Sequence, residues 1–348
     1  MRLISITAVA IRLFRSPEKR LASASCRPKS QPHTPPPRNR SARPLPETTM
    51  STLAENLIAA VKGVAALAGA GCVALLGALY AFQRKLIFAG HAMDIGPALP
   101  IRKGRKIEVD VRNEQRPRGA PDTLVGVYFP PTKPNAKTLA FWHGNADQLG
   151  NVADFLGQAL QQRLGVGFLG IEYPGYALCT SGEPTETTIH WTSQRMLRHL
   201  RETLKTPARD TVAFGQSIGG AVALRAAHDN LVGSCVLLSS FESIPAMAKA
   251  LFPFIPVPAL LVKDPFDNAR LAPSVNVPVL CLHGTRDEIV PFAQGRAICD
   301  LLPSSEFVAL PNCGHNDTFN GASYRLIVDA LEAFLAGHTW GGGRKLGT

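Results

Sequence analysis

Apolar and polar positions alternate in two ways between residues 100 and 338 of this chain. Apolar runs with the length and bounding turns of strands lie at 106–111, 124–129, 138–142, 166–171, 211–214, 234–239, 279–282 and 306–310. Stretches with apolar residues at helical spacing lie at 147–163, 185–204 and 324–335. Strands that alternate with helices predict an α/β domain over 100–338, with a mostly parallel sheet covered by helices on both faces.

A longer apolar segment precedes this domain. Residues 64–82 contain no charged residue and are bounded by Lys62 and by Arg84 and Lys85. At ~1.5 Å per helical residue, this length nearly spans a hydrocarbon core of ~30 Å. We predict a transmembrane or signal-anchor helix over 57–83 and a single-pass membrane protein. Because the segment is rich in glycine and alanine, a buried helix is the alternative.

The first 49 residues have a different composition. They carry ten Lys and Arg against two Glu, a net charge of +8 out of +11 for the whole chain. The basic balance therefore belongs to this arm and does not indicate nucleic-acid binding by the α/β domain. Prolines crowd its second half, which predicts disorder, and residues 339–348 are predicted to be a flexible tail.

The start of the arm bears on localisation. Residues 1–15 are apolar, contain arginine and lack acidic residues, as in an organelle transit peptide. The alternative is translation from Met50, without the arm. With the arm, the positive-inside rule places the α/β domain on the far side of the membrane, and without it on the cytosolic side. We expect the protein to lie in an endomembrane. A mitochondrial or other organelle membrane is left open.

The most specific motif is GQSIG at residues 215–219, between the apolar run 211–214 and a run of small residues typical of a helix. A G-x-S-x-G sequence at a strand-to-helix junction indicates a nucleophile elbow, a strained turn that exposes the hydroxyl of Ser217. Its glycines allow the neighbouring backbones to approach. Such a pentapeptide can arise by chance among 30 glycines, but the flanking strand and helix favour the elbow.

A serine hydroxyl needs a base to become nucleophilic, and the base needs an orienting acid. In enzymes with this elbow, the acid and then the histidine follow the serine along the chain. Asp287 lies in the turn after the apolar run 279–282, and His315 lies in the loop after 306–310. We predict Ser217 as the nucleophile, Asp287 as the acid and His315 as the base.

Several other residues compete for these roles. Glu288 is the main alternative acid. Asp264 and Asp267 follow no strand, so surface turns are the better interpretation, and Asp317 is expected to shape the histidine loop. His283, on an apolar strand, is expected to be a core residue. The remaining candidates lie on predicted helices, at surface or packing positions, and are His190, His199 and His228.

An oxyanion intermediate needs backbone N–H donors. The residue after the nucleophile, Ile218, is expected to supply one. The sequence HGNA at 143–146 follows the apolar run 138–142, and Gly144 there permits a sharp turn. We assign the second donor to Asn145, with Ala146 as the neighbouring possibility and a plain Gly-Asn turn as the alternative.

Six motifs appear in order, and they are HGNA at 143–146, EYPGY at 172–176, SGEPTE at 181–186, GQSIGG at 215–220, HGTRDEIVP at 283–291 and GHND at 314–317. Together they closely resemble the α/β-hydrolase superfamily, specifically its membrane-anchored serine hydrolases, a branch that includes acyl-protein thioesterases. The resemblance covers roughly residues 80–338. It implies an α/β-hydrolase fold and the triad of Ser217, Asp287 and His315. Chemistry of this kind requires no cofactor. We add Tyr173, Tyr176 and Phe241 as candidate substrate-binding residues.

The chain departs from that branch at two places. The sequence ALC at 177–179 replaces the glycine expected after Tyr176, so the loop there is expected to differ in shape. The depalmitoylating members carry a cysteine-rich, lipidated N-terminal segment, whereas Cys26 alone precedes the apolar segment here. This weakens a depalmitoylase assignment and leaves the hydrolase chemistry unaffected.

Two further patterns limit the possibilities. Seven cysteines without close pairs do not form a disulfide framework, and the group of Cys299, Cys313 and His315 lacks the C-x-x-C spacing of a metal site.

Residues 241–274 are too few for a large cap domain. A crossover helix with a proline-rich loop is the preferred interpretation, and a hydrophobic rim that accepts an acyl chain is the alternative.

The sequence therefore predicts a membrane-anchored serine hydrolase that cleaves an ester or thioester, of lipid or acyl-protein type, through an acyl-enzyme. The expected partners are a hydrophobic or acylated substrate and the lipid bilayer. The oligomeric state is left open. The alternatives are a serine peptidase and a non-catalytic protein that keeps the fold as a scaffold or binding module.

Overall fold

The computed structural model describes residues 47–92, 99–253 and 259–337. The predicted tail and all but the last three residues of the predicted arm lie outside this range. The chain divides into two compact units between Leu75 and Leu76. The second unit contains the sheet and every candidate site residue.

The first element is one long helix, α1, at Glu47–Ile87. It extends the predicted anchor at both ends because the sequence around 57–83 is rich in alanine and leucine and contains no proline. Within its segment Ala54–Ile87, an 18-residue window has a mean hydropathy of 2.0 and is not buried, and the segment is long enough to cross a membrane. Arg84 and Lys85 lie in the last turn, where positive charge complements the helix dipole. The helix is compatible with a single membrane anchor.

A central sheet of eight strands follows. The strands are β1 Arg105–Asp110, β2 Thr123–Phe129, β3 Thr138–Trp142, β4 Gly167–Ile171, β5 Thr211–Gln216, β6 Ser234–Leu238, β7 Val279–Gly284 and β8 Ser305–Leu310. Their order is β1-β2-β4-β3-β5-β6-β7-β8. β2 runs antiparallel to both neighbours, and the other adjacent pairs are parallel. The mostly parallel sheet is confirmed, and each predicted strand is present with its ends moved by at most two residues.

Helices cover the sheet. They are α2 Ala89–Ala92, α3 Leu149–Val152, α4 Gln158–Leu164, α5 Glu186–Glu202, α6 Ile218–His228, α7 Ile244–Leu251, α8 Asn268–Leu271, α9 Phe292–Leu301 and α10 Gly321–Leu335. A π-helical turn at Ala153–Gly157 joins α3 to α4, where the sequence predicted one continuous helix. Gly157 packs there so closely that an added Cβ would lie 2.6 Å from the ring of Phe129.

Each buried strand contributes to two cores. In β5, Val212 and Phe214 belong to one core and Ala213 to the other, as the alternation of side chains along a strand requires. Residues of α5, α6 and α9 line the core of Ala213, and residues of α3, α4 and α10 line the opposite core. The helices therefore lie on both faces, and the loops after β3, β5, β7 and β8 meet at the carboxyl edge of the sheet, where ligands bind in such folds.

Candidate active site

Ser217 occupies the junction between β5 and α6 in a strained conformation. Its φ is 56° and its ψ is −119°, which non-glycine residues rarely adopt. The surrounding backbones are in close contact: a Cβ added to Gly215 would lie 2.0 Å from the oxygen of Gly219, and one added to Gly219 would lie 2.2 Å from the oxygen of Trp142. This is the sharp turn that a nucleophile elbow requires.

Asp287 and His315 form a buried pair. The carboxylate Oδ2 of Asp287 accepts a hydrogen bond from Nδ1 of His315 at 2.8 Å. Its Oδ1 accepts the N–H groups of Ile289 at 3.0 Å and Val290 at 2.8 Å. Burial raises the pKa of Asp287, but the hydrogen bonds from His283, His315 and the backbone outweigh burial and hold this pKa below its usual range. Asp287 is therefore ionised at neutral pH.

Two contacts place the neighbouring loops beside Ser217. Gln216, the residue before it, donates from Nε2 to the hydroxyl of Thr318 at 3.2 Å, which ties the His315 loop to the elbow. A Cβ built on Gly144 would lie 3.8 Å from Cβ of Ser217, so the HGNA loop also borders the elbow. The structure thus gathers the predicted acid–base pair, serine and oxyanion loop in one region.

A buried ion pair lies beneath the HGNA loop. His143 has Nδ1 2.8 Å from the carbonyl oxygen of Gly144 and Nε2 2.7 Å from Oε1 of Glu172. Both nitrogens face oxygen acceptors, an arrangement that favours the doubly protonated ring. Burial lowers the pKa of His143, but the Glu172 carboxylate outweighs it and raises this pKa above the ordinary value. This pair was not predicted from the sequence, where its only signal was that His143 belongs to the HGNA motif and Glu172 to the EYPGY motif.

Tyr173 and Tyr176 also support this loop. The hydroxyl of Tyr173 donates to the carbonyl of His143 at 2.7 Å, and that of Tyr176 donates to the carbonyl of Asn145 at 2.9 Å. Both side chains are 1% exposed, and burial raises the pKa of both phenols, which keeps them neutral donors. These contacts give the tyrosines a positioning role, whereas their contact with substrate stays a prediction.

The segment after β6 starts with Phe241, which is buried in the same core as Met247 of α7. Substrate contact by Phe241 also stays a prediction. Further along, apolar side chains become exposed: Leu260 is 94% exposed and Phe252 is 41% exposed. Part of the predicted proline-rich loop, residues 254–258, lies outside the described residues.

The competing residues take other places. Glu288 approaches the backbone N–H of His315 with Oε2 at 3.5 Å, whereas Asp287 holds the ring. The surface-turn interpretation of Asp264 is wrong, because this residue is 2% exposed and binds Arg84. Asp317 accepts the N–H of Gly314 at 3.2 Å and so shapes the loop.

His283 is a core residue, as the sequence indicated. It is 1% exposed and donates from Nε2 to the carbonyl of Val290 at 2.9 Å. The same nitrogen lies 3.4 Å from Oδ2 of Asp287. His283 therefore also helps to hold the carboxylate of Asp287 in place. Within the described ranges, no group of three or more His, Cys, Asp or Glu residues is arranged to hold a metal ion.

This architecture is the α/β-hydrolase fold. The profile of the Alpha/beta hydrolase family matches residues 139–276, from β3 through the elbow. The chain has the α/β-hydrolase fold, and the profile match and the relatives support its place in the α/β-hydrolase superfamily and a hydrolase activity.

Two curated relatives illustrate the similarity. Alpha/beta hydrolase domain-containing protein aho-3 of Caenorhabditis elegans is 30% identical over 199 residues, which cover 57% of each chain. Protein bem46 of Schizosaccharomyces pombe is 29% identical over 265 residues, 74% of this chain and 88% of that protein. The match to the first relative therefore spans little more than half of its length.

Among solved structures, 2,6-dihydroxy-pseudo-oxynicotine hydrolase has the same fold. Its TM-score is 0.53 with 18% sequence identity, over 68% of this chain and 70% of that chain.

The ion pair between His143 and Glu172 predicts a pH-dependent stability. Because the folded-state pKa of His143 is raised, its protonation stabilises the fold below about pH 6.5, and this contribution is lost as pH rises through the folded-state pKa. Glu172→Gln leaves a buried imidazole without its carboxylate, which costs about 3–5 kcal/mol at low pH. The difference in unfolding temperature between wild type and variant should narrow as pH rises.

Thermal unfolding in detergent between pH 5 and 9 measures this difference. Glu202→Gln is the matched control, because Glu202 forms an exposed pair with Arg201 and its loss should change stability by less than about 1 kcal/mol at any pH. A Glu172→Gln deficit that does not change with pH would refute the assignment of a charged His143.

Proposed function

We propose that this protein is a membrane-anchored serine hydrolase that cleaves an ester or thioester through Ser217, His315 and Asp287. The observation that carries the proposal is the strained Ser217 at the elbow, bordered by the loop in which His315 is held by Asp287 at 2.8 Å. A conformation of this kind costs about 1–3 kcal/mol, and it persists in proteins mainly where function requires it.

The proposed reaction has two stages. The Oγ of Ser217 attacks the carbonyl carbon while Nε2 of His315 takes its proton, and Asp287 holds the imidazole in the required tautomer. The negative oxygen of the tetrahedral intermediate accepts hydrogen bonds from the N–H groups of Ile218 and Asn145. His315 then protonates the leaving alcohol or thiol. Water, activated by His315, hydrolyses the acyl-enzyme in the second stage.

Two features favour an acyl substrate. The chain has a helix that is compatible with a membrane anchor, and the end of this helix belongs to the same compact unit as the sheet. In the described part of the segment after β6, Phe252 and Leu260 are exposed and no large cap is formed. An uncapped site next to a lipid surface suits a lipid ester first and an acyl-protein thioester second, since the acyl chain of either can leave the bilayer without crossing much water.

The neighbouring contacts support a position near the lipid surface. Gln83 at the end of α1 donates to the carbonyl of Leu261 at 3.0 Å and accepts the N–H of Lys263 at 2.7 Å. The ammonium of Lys263 lies 4.1 Å from the ring centre of Tyr80. Aromatic and basic side chains of this kind concentrate at membrane interfaces.

Replacement of the nucleophile tests the chemistry. Ser217→Ala should abolish labelling by a fluorophosphonate probe and lower the hydrolysis of p-nitrophenyl esters by a factor on the order of 10⁴–10⁶, because no oxygen remains to be acylated. The exposed Ser304 supplies the matched control, and Ser304→Ala should label like the wild type. Folded wild-type protein that takes up no probe would favour the non-catalytic scaffold.

The acyl preference tests the substrate class. We expect kcat/KM to rise with acyl length from acetyl to at least octanoyl p-nitrophenyl esters, at about 0.8 kcal/mol for each buried methylene. Leu260→Ser replaces the most exposed of these apolar side chains. It should change kcat/KM for the long-chain esters more than kcat/KM for the acetyl ester. A steady preference for acetyl esters would contradict a lipid or acyl-protein substrate.

Extraction tests the anchor. The full chain should remain with membranes after alkaline carbonate treatment and be released by detergent. Arg at both Val73 and Leu76 should release it, because each central charge costs about 2.5–3.5 kcal/mol in a membrane helix. Ala54→Arg combined with Asn56→Arg, both before the predicted anchor at 57–83, is the matched control. Release of the wild type by carbonate would show that α1 does not span a bilayer.

A further inference from the structure

The chain that leaves α1 contacts the loop that carries the predicted oxyanion donor. The N–H of Gly90 donates to the carbonyl of Asn145 at 2.7 Å. In the opposite direction, the side-chain Nδ2 of Asn145 donates to the carbonyl of Ile87 at 3.1 Å. Ile87 is the last residue of α1, and Gly90 lies in α2.

These bonds fix the backbone of Asn145 on both sides. Its own N–H shares a peptide plane with the carbonyl of Gly144, which accepts Nδ1 of His143 at 2.8 Å and the N–H of Asp147 at 3.3 Å. Its carbonyl is held by Gly90. Because each residue has only two soft backbone dihedrals, holding both adjacent peptide planes sets the direction of the Asn145 N–H.

The contact requires glycine at position 90. A Cβ there would lie 2.5 Å from Cε1 of Tyr176, 3.0 Å from the oxygen of Asn145 and 3.1 Å from the oxygen of Asp147. Two of these atoms are backbone oxygens of the oxyanion loop and cannot rotate away. A methyl group at this position must therefore displace the loop, the ring of Tyr176 or both.

The same segment is fixed along its length. Phe88 is 1% exposed and meets the ring of Phe266 edge to face, with centroids 6.2 Å apart. Arg84 donates from Nε to Oδ2 of Asp264 at 2.8 Å, and Oδ1 of Asp264 accepts the N–H of Glu186 at 2.8 Å. The last turn of α1 thus has a defined register against the hydrolase unit to which it belongs.

We infer that residues 84–91 complete the active site, and that Ile87 and Gly90 are positioning residues that aim the N–H of Asn145 at the oxyanion. The inference rests on the proposed function, because it uses Asn145 as an oxyanion donor. Its consequence is that the end of the anchor helix sets the rate of the chemical step, in addition to attaching the enzyme to a membrane.

Two substitutions in the full chain test this inference. Gly90→Ala and Asn145→Ala, which keeps the backbone N–H and removes the bond to Ile87, should each lower kcat about 10–100-fold. The fall in kcat should not exceed the roughly 10²–10³-fold cost of losing one oxyanion donor entirely. KM should change by less than about threefold, since the donor acts mainly on the transition state. Gly77→Ala in α1 is the matched control, because no atom lies within 4 Å of the added methyl group and kcat should not change.

A pair of ketones separates positioning from general damage. With a long-chain trifluoromethyl ketone, the Oγ of Ser217 adds to the carbonyl carbon, its proton passes to His315, and the carbonyl π electrons become the negative oxygen that Asn145 stabilises. The matching methyl ketone binds without this addition. Gly90→Ala should weaken the trifluoromethyl ketone by the same factor as kcat/KM and leave the methyl ketone within about threefold.

Each outcome decides the matter. Wild-type kcat and ketone affinities in both variants would overturn the inference and leave the proposed function intact. Equal weakening of both ketones, together with a lower unfolding temperature, would also overturn it, because the role would then be structural. A wild type that neither hydrolyses esters nor reacts with the trifluoromethyl ketone would remove the proposed function and the inference together.

Discussion

A serine at φ 56° and ψ −119° persists only where the surrounding backbone leaves it no alternative. Here its N–H donates to the carbonyl of Leu238 at 2.8 Å, and its carbonyl accepts the N–H of Gly220 at 2.9 Å. The glycines at 215 and 219 let β5, α6 and the end of β3 approach more closely than any side chain would permit. The sheet therefore holds Ser217 in its strained turn, and the rest of the site is arranged around that fixed point.

The support beneath the HGNA loop is largely electrostatic. A buried ion pair is a poor source of net stability, because desolvation of both charges opposes their attraction. The pair of His143 and Glu172 instead joins two loops: Glu172 also accepts the N–H groups of Tyr173 and Leu149 at 3.1 Å. The tyrosine hydroxyls then hold the carbonyls of residues 143 and 145. We conclude that this network specifies the conformation of the loop more than it stabilises the fold.

The sequence predicted the sheet well and the supporting contacts poorly. Apolar runs identify buried strands directly, and the elbow has a local signature around Ser217. Asp264 was misassigned because its partner, Arg84, is 180 residues away, and the roles of Tyr173 and Tyr176 depend on a loop about 30 residues earlier. The ten-residue helix α9 was missed, and so was the π-helical turn before α4, where Gly157 packs closely against Phe129. Contacts distant in sequence thus account for what was missed.

The structure of the fluorophosphonate-treated enzyme tests the central claim most directly. The account predicts phosphorus bonded to Oγ of Ser217, with the phosphoryl oxygen about 2.7–3.1 Å from the backbone nitrogens of Ile218 and Asn145. It also predicts Nε2 of His315 within hydrogen-bond distance of Oγ, with its Nδ1 still bound to Asp287. Phosphorus on another residue, or a phosphoryl oxygen directed away from both nitrogens with His315 remote from Oγ, would contradict the account.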